Sequence, residues 1–182
     1  MLTNLPNHVF PWQLARARRS LKGQVPFAQM SRLMHELLDK EGCAWVELAF
    51  DCDGGDRCFI QGHIKACLYL ACQRCLQAAS IMVDTQTQIG LMINESEIQR
   101  WSDKYEPWIV KPAETTSLWN LVEEELLLAL PIVVRHPLTE CPKGEIPELV
   151  GAYGHKQEEE GWVRHESSPF FILTKIKGKS SI

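Results

Sequence analysis

Between positions 60 and 70 the chain alternates strictly. Ile60, Gly62, Ile64, Ala66, Leu68 and Leu70 occupy the even positions, and Gln61, His63, Lys65 and Tyr69 sit between them. A repeat of two places successive side chains on opposite faces of a strand, so this stretch predicts a half-buried strand. The alternation returns with odd phase at Ile81, Val83, Ile89, Leu91 and Ile93, set against Asp84, Gln86, Gln88 and Asn94. Between the two runs lies Cys72-Gln73-Arg74-Cys75, a knuckle that joins two long strands. Upstream, Ala44, Val46, Leu48 and Phe50 alternate with Trp45, Glu47 and Ala49 and run into Asp53-Gly54-Gly55-Asp56, residues suited to a hairpin turn. The three runs predict an antiparallel β-meander with one apolar face that needs a cover.

Three helices supply candidates for that cover. Pro11, Trp12, Leu14 and Ala15 predict a short helix opened by proline, with Arg16, Arg18, Arg19 and Lys22 crowding its far end. Phe27, Met30, Leu33, Met34, Leu37 and Leu38 follow helical spacing and predict a helix over 27–38. A third helix is expected over 117–130. Ser117 caps it, Leu118, Leu121, Val122 and Ala129 form its apolar stripe, and Pro131 stops it. Glu123 and Glu124 fall off that stripe, whereas Glu125 projects into its middle. Residues 95–112 are turn-rich, carry Trp101, Tyr105 and Trp108, and lead into a short strand at 108–110.

The fold class is therefore α+β, an antiparallel meander packed by helices. A single domain is expected over 1–141. Residues 142–167, rich in Gly, Glu, Lys and Pro without apolar periodicity, predict a flexible linker. Ser168-Pro169-Phe170-Phe171-Ile172-Leu173, followed by Lys175, Lys177 and Lys179, predicts a docking peptide over 168–182. No feature decides the oligomeric state.

Composition narrows the chemistry. The formal net charge of −4 excludes a polycation that holds nucleic acid by bulk attraction, so any such contact is local. The longest apolar run, 126–134, is broken by Pro131 and falls short of the roughly 18 residues that a membrane span needs. The first eleven residues lack the layout of a signal peptide and the seven cysteines are odd in number, which predicts a soluble protein in a reducing cytosol without disulfides. Cys43, Cys52, Cys58 and Cys67 lack ligand spacing and read as small apolar residues.

The remaining cysteines carry the candidate chemistry. Cys72, Cys75, His136 and Cys141 are the simplest set that could give zinc its four nitrogen and sulfur ligands. A turn cysteine pair without metal, or a redox pair, are the other readings of the same knuckle. Glu125 requires a partner such as Arg74, or else a role as general acid or base. Arg16, Arg18 and Arg19 read either as a solvated helix end or as a phosphate or acidic-partner contact, and Trp101, Tyr105 and Trp108 either as loop anchors or as base-stacking platforms. No phosphate-cradling glycine loop, paired carboxylates or nucleophile with its base appears, so an enzyme is not expected.

The knuckle Cys72-Gln73-Arg74-Cys75, the tripeptide Tyr105-Glu106-Pro107, the run from Leu121-Val122-Glu123-Glu124-Glu125 to Ala129-Leu130-Pro131, His136 with Cys141, and the ending from Ser168-Pro169-Phe170 to Lys177 together resemble the YceD family of bacterial proteins. The resemblance implies a cytoplasmic, non-catalytic factor in the synthesis, processing or stability of large-subunit ribosomal RNA. It also implies a partner that is either the rRNA precursor itself or a ribosomal or RNA-processing protein held by an acidic adaptor. Related sequences often carry further cysteines downstream of the knuckle that complete a zinc site; here only His136 and Cys141 stand in that region. On the RNA reading, Arg74, Arg16, Arg18, Arg19, Lys175 and Lys177 are the contacts, with Phe170 in the docking peptide.

Overall fold

The computed structural model describes residues 4–142. The docking peptide and all of the expected linker except Pro142 lie outside the described residues, and with them Phe170, Lys175 and Lys177. Among the described residues the element order is β1 (His8–Val9), α1 (Pro11–Arg16), β2 (Ser20–Pro26), a 3-10 turn (Phe27–Gln29), α2 (Ser31–Glu36), β3 (Cys43–Cys52), β4 (Cys58–Ala71), β5 (Ala78–Met92), a second 3-10 turn (Glu95–Arg100), β6 (Glu106–Ile109), β7 (Thr116–Ser117) and α3 (Leu118–Leu128). This is an α+β fold. Its main sheet has the order β2-β3-β4-β5-β6, antiparallel except for the parallel β5–β6 pair.

The alternation read in the sequence is the geometry of this sheet. Leu48, Gly62 and Thr87 stand side by side on the inner face, as do Phe50, Ile60 and Ile89. These rows are buried beneath α1, which lies over β3 and β4, and α3, which lies over β4 and β5. Burying a side chain of this size contributes about 1.5–3 kcal/mol, so the inner rows with Trp12, Leu118, Val122 and Leu126 supply most of the driving force. The opposite face stays polar: His63 and Lys65 both reach Asp84, at 2.6 and 2.9 Å. Indole N–H groups tie the cover down, Trp12 Nε1 donating to the Val110 carbonyl at 2.7 Å and Trp119 Nε1 to the Leu5 carbonyl at 2.9 Å.

Several expectations are corrected. The helix predicted over 27–38 is instead a 3-10 turn, a non-helical Met30 and the six-residue α2, after which Leu37 leaves helical geometry and bridges Leu70 at the sheet. Phe27, Met30, Leu33 and Leu37 are all buried even so. The core needs those side chains inside and is indifferent to which backbone delivers them. The sheet gains β2, where the glycine and lysine of Ser20–Pro26 obscure the alternation, and takes the short strand expected at 108–110 as β6, over 106–109, on its far edge. Pro26, which lacks an N–H, is tolerated at the end of an edge strand. The expectation of no disulfides also fails, since the β3–β4 register sets Cys52 opposite Cys58 and the two are bonded. Within the loop they close, Asp53 accepts from the backbone N–H groups of Gly55 and Arg57 and pairs with the Arg57 guanidinium at 2.6 Å.

Gly62 is a packing requirement. A Cβ there would stand 2.6 Å from Thr87 Cγ2 and 3.2 Å from Leu48 Cδ2, and the β-branched Thr87 cannot swing its methyl away freely. Gly62→Ala is expected to cost roughly 1–3 kcal/mol of stability in urea unfolding. Adding Thr87→Ser, which deletes that methyl and keeps the hydroxyl, is expected to recover part of the loss; an additive double mutant would refute the clash.

Candidate metal centre

The knuckle is a tight turn between β4 and β5. Leu76 N–H closes it onto the Cys72 carbonyl at 2.8 Å, Cys72 N–H pairs with the Gln77 carbonyl at 2.9 Å, and Leu76 takes a left-handed φ of 64°. Beyond α3 the chain turns at Pro131 and is stapled to the knuckle. Gln73 N–H donates to the Val134 carbonyl at 2.8 Å, and the Gln73 side chain donates to the Ile132 carbonyl at 3.4 Å. A turn at Pro137, whose carbonyl accepts from the N–H groups of Glu140 and Cys141, brings in the last residue.

These constraints gather Cys72, Cys75, His136 and Cys141 so that one donor atom from each lies within 4.8 Å of all the others. The three cysteines are buried and His136 is half-buried. His136 Nε2 lies 2.9 Å from the Ala78 carbonyl, which places the ring proton there and turns Nδ1 toward Cys75 Sγ, 3.4 Å away. A carbonyl holding the far nitrogen of an imidazole is the usual outer support of a metal-bound histidine.

The electrostatics favour a thiolate at Cys72. Burial pushes the Cys72 thiol up, but the backbone N–H groups of His136, Cys75 and Arg74 aimed at its sulfur, with help from the Cys75 thiol, outweigh burial and bring it to about 5. Burial pushes Cys75 up as well; the Gln77 N–H opposes this, while the sulfurs of Cys72 and Cys141 add to it. His136 is raised chiefly by the Ala78 carbonyl, against its burial, with further support from Cys72 and Cys141. Three sulfurs at this spacing repel one another once ionised, and a divalent cation removes the repulsion. The residues fit a metal ion in number, donor type and burial.

The other sequence candidates are dispersed. Arg74 does not pair with Glu125. Its Nη1 is buried without a hydrogen-bond partner, whereas Glu125 lies over the β5–β6 edge beside Ile89, Glu106 and Trp108. Distance explains this: Glu125 faces Thr87, nine residues into β5 from the knuckle end, a separation of about 30 Å along the strand. Burial first, then the Glu106 charge, push Glu125 up to about 7; the buried Thr87 hydroxyl pulls the other way but falls short of a hydrogen bond. Of the basic cluster, Arg18 is spent on Asp51 at 3.1 Å and Lys22 on Glu47 at 2.9 Å, while Arg16 and Arg19 are exposed. Trp101 and Tyr105 meet edge to face with centroids 5.1 Å apart, and Trp108 stands with Leu121 and Glu125 instead.

Sequence reasoning placed Glu123 outside the packed face, yet it is buried. Its Oε1 accepts from the backbone N–H groups of Arg32 at 2.6 Å and Leu33 at 3.0 Å, and its Oε2 pairs with the Arg32 side chain at 3.2 Å. Helical periodicity assigns faces against one neighbour, and here a second one, α2, occupies the flank. The Ala78 carbonyl and Thr87 left no readable signal either, since a backbone oxygen is sequence-blind and a threonine in a strand is ordinary.

Glu125 sets a pH dependence. Its folded value of about 7 exceeds the ordinary 4.5, so between these limits the folded state holds a proton that the unfolded chain has released, and stability falls as pH rises. Relative to wild type, Glu125→Gln is expected to become more stable by on the order of 2 kcal/mol as pH passes through that window, measured by urea unfolding. A difference that does not vary with pH would refute the raised value.

Residues 60–177 match the family described as "Large ribosomal RNA subunit accumulation protein YceD". A Haemophilus influenzae protein of that same name is 26% identical over 175 residues, a span covering 96% of this chain and 97% of the relative. No solved structure matches the chain. Among the described residues, no helix is long and apolar enough to cross a membrane.

Proposed function

Since the chain belongs to the YceD family of large ribosomal RNA subunit accumulation proteins, we propose that it is a cytoplasmic, non-catalytic factor that supports large-subunit ribosomal RNA by binding. In this reading it is stapled by one zinc ion held by the sulfurs of Cys72, Cys75 and Cys141 and by Nδ1 of His136. The closed cluster carries the reading. Four protein ligands leave a zinc ion no open position for water or substrate, the signature of a structural rather than a catalytic site. Bound there, zinc would supply cross-linking and charge neutralisation. The chain's own residues do the rest: the N–H groups around Cys72 hold its thiolate, Ala78 orients His136, and Gln73 anchors the returning segment.

The partner is large-subunit rRNA or its precursor, contacted locally. A protein partner, with this chain as an acidic adaptor for a basic ribosomal protein or a processing enzyme, is the second reading; the net charge of −4 and the neutralisation of Arg18 and Lys22 favour it. Ultraviolet crosslinking in growing cells separates the two. Crosslinks concentrated on large-subunit precursor RNA are expected, and one co-purifying protein without any RNA crosslink would establish the adaptor instead.

For the metal, elemental analysis of the purified chain is expected to find one zinc per molecule. Cys72→Ser and Cys75→Ser are each expected to abolish it and to lower Tm by roughly 10 °C. Zinc-free wild-type protein from zinc-replete cells, or serine variants with unchanged zinc, would refute the site.

A further inference from the structure

At the end of β4 remote from the metal centre, the loop after the second 3-10 turn folds back on the sheet. Trp101 lies on Gly90, where even a Cβ would stand 2.9 Å from the indole. Tyr105 meets both Trp101 and Phe59, with centroids 5.1 and 5.7 Å apart. Two clefts flank the indole. One, of about 200 Å³, is lined by Arg57, Phe59, Trp101, Lys104 and Tyr105 among others. The other, of about 280 Å³, has Trp12, Arg16, Arg57, Arg100 and Trp101 in its wall.

Of the basic cluster, Arg18 and Lys22 are held by Asp51 and Glu47, whereas Arg16 reaches these clefts. Arg16, Arg100 and Lys104 are exposed and make no ion pair among the described residues; Lys104 Nζ lies over the Tyr105 ring, 5.6 Å from its centroid. Of the adjacent acids, Asp53 is held by Arg57, and Glu97 accepts the backbone N–H of Ile93. The walls thus carry three unpaired cations, Arg16 and Arg100 in one cleft and Lys104 in the other, against the two unpaired carboxylates Asp56 and Glu97. Half-exposed aromatic rings between unpaired cations complement a strand whose bases are unstacked and whose phosphates are close at hand. A duplex hides its base faces and gains only the phosphate contacts.

Resting on the RNA-contact reading above, we propose that the two clefts around Trp101 are a binding surface for single-stranded RNA, with bases stacking at Trp101 and Tyr105 and phosphates at Arg16, Arg100 and Lys104. The surface is remote from the zinc ligands. β4 is 14 residues long, about 45 Å at strand spacing, and the knuckle lies at its other end. RNA contact and metal binding are separable for that reason.

The test is fluorescence anisotropy with the full-length chain, a labelled oligouridine, and an RNA duplex of the same length. Wild type is expected to prefer the single strand, and three phosphate contacts should weaken binding roughly 20-fold between about 50 and 200 mM salt. Arg100→Glu and Lys104→Glu, both at exposed positions, are each expected to raise Kd by about tenfold, and Trp101→Leu by a similar factor. Arg135→Glu, beside the metal centre, should stay within about twofold. Oligouridine binding that survives Arg100→Glu and Lys104→Glu would overturn this surface while leaving direct RNA contact standing. A folded, zinc-loaded chain that binds neither probe, with no RNA crosslink in cells, would overturn both.

Discussion

The β4–β5 ladder is the constraint on which the remaining structure depends. Its thirteen residue pairs, from Phe59 with Gly90 to Ala71 with Ala78, set one unbroken register. A slip of one residue would turn either Ile60, Ile64 and Leu68 or their partners on β5 to solvent, so the inner face itself enforces that register. At one position the ladder is tighter still, where Gly62 leaves room for the Thr87 methyl. The Cys72 to Gln77 turn closes one end and the disulfide-bridged hairpin extends the other, which places two chemically different surfaces at the two ends of one rigid element.

The zinc site proposed above would do work that packing does not do there. Beyond α3, residues 129–142 form no helix or strand, and Ile132, Val133 and Leu138 are exposed while Val134 and Cys141 are buried. So little apolar burial cannot by itself offset the entropy of ordering such a segment. On the zinc reading proposed above, cross-linking through His136 and Cys141 to a knuckle already held by the ladder would provide the missing stabilisation, and the hydrogen bonds of Gln73 align the two halves.

Two buried carboxylates on α3 show how context sets the fate of a charge. Glu123 is met by two backbone N–H groups and a guanidinium, so its ionised form is satisfied and joins α3 to α2. Glu125, half a turn away, meets another carboxylate and a hydroxyl that does not reach it, so its protonated form is favoured. Glu123 is thus a structural clasp. Glu125 is tolerated where a cation is missing, beside the Glu106 carboxylate.

Much of this molecule was legible in one dimension. The alternation at 44–50, 60–70 and 81–93, the Ser117 cap and the α+β class follow from rules of local period and capping, which involve only near neighbours. The four members of the Cys72, Cys75, His136 and Cys141 set could be named because few residue types bind metal and this chain offers few of them in that region. Their convergence could not be read, because it depends on hydrogen bonds from Gln73 and a turn at Pro137 that carry no pattern. The same limit hid β2, the parallel pairing of the expected short strand β6 with β5, the Cys52–Cys58 bond, the Glu123 clasp and the absence of any Arg74–Glu125 pair. Except for the disulfide, which depends on the register of a local hairpin, each of these turns on segments far apart in the chain, and tertiary structure alone decides them because sequence fixes which side chains exist and which face they share, while distance across the fold is set by how whole elements pack.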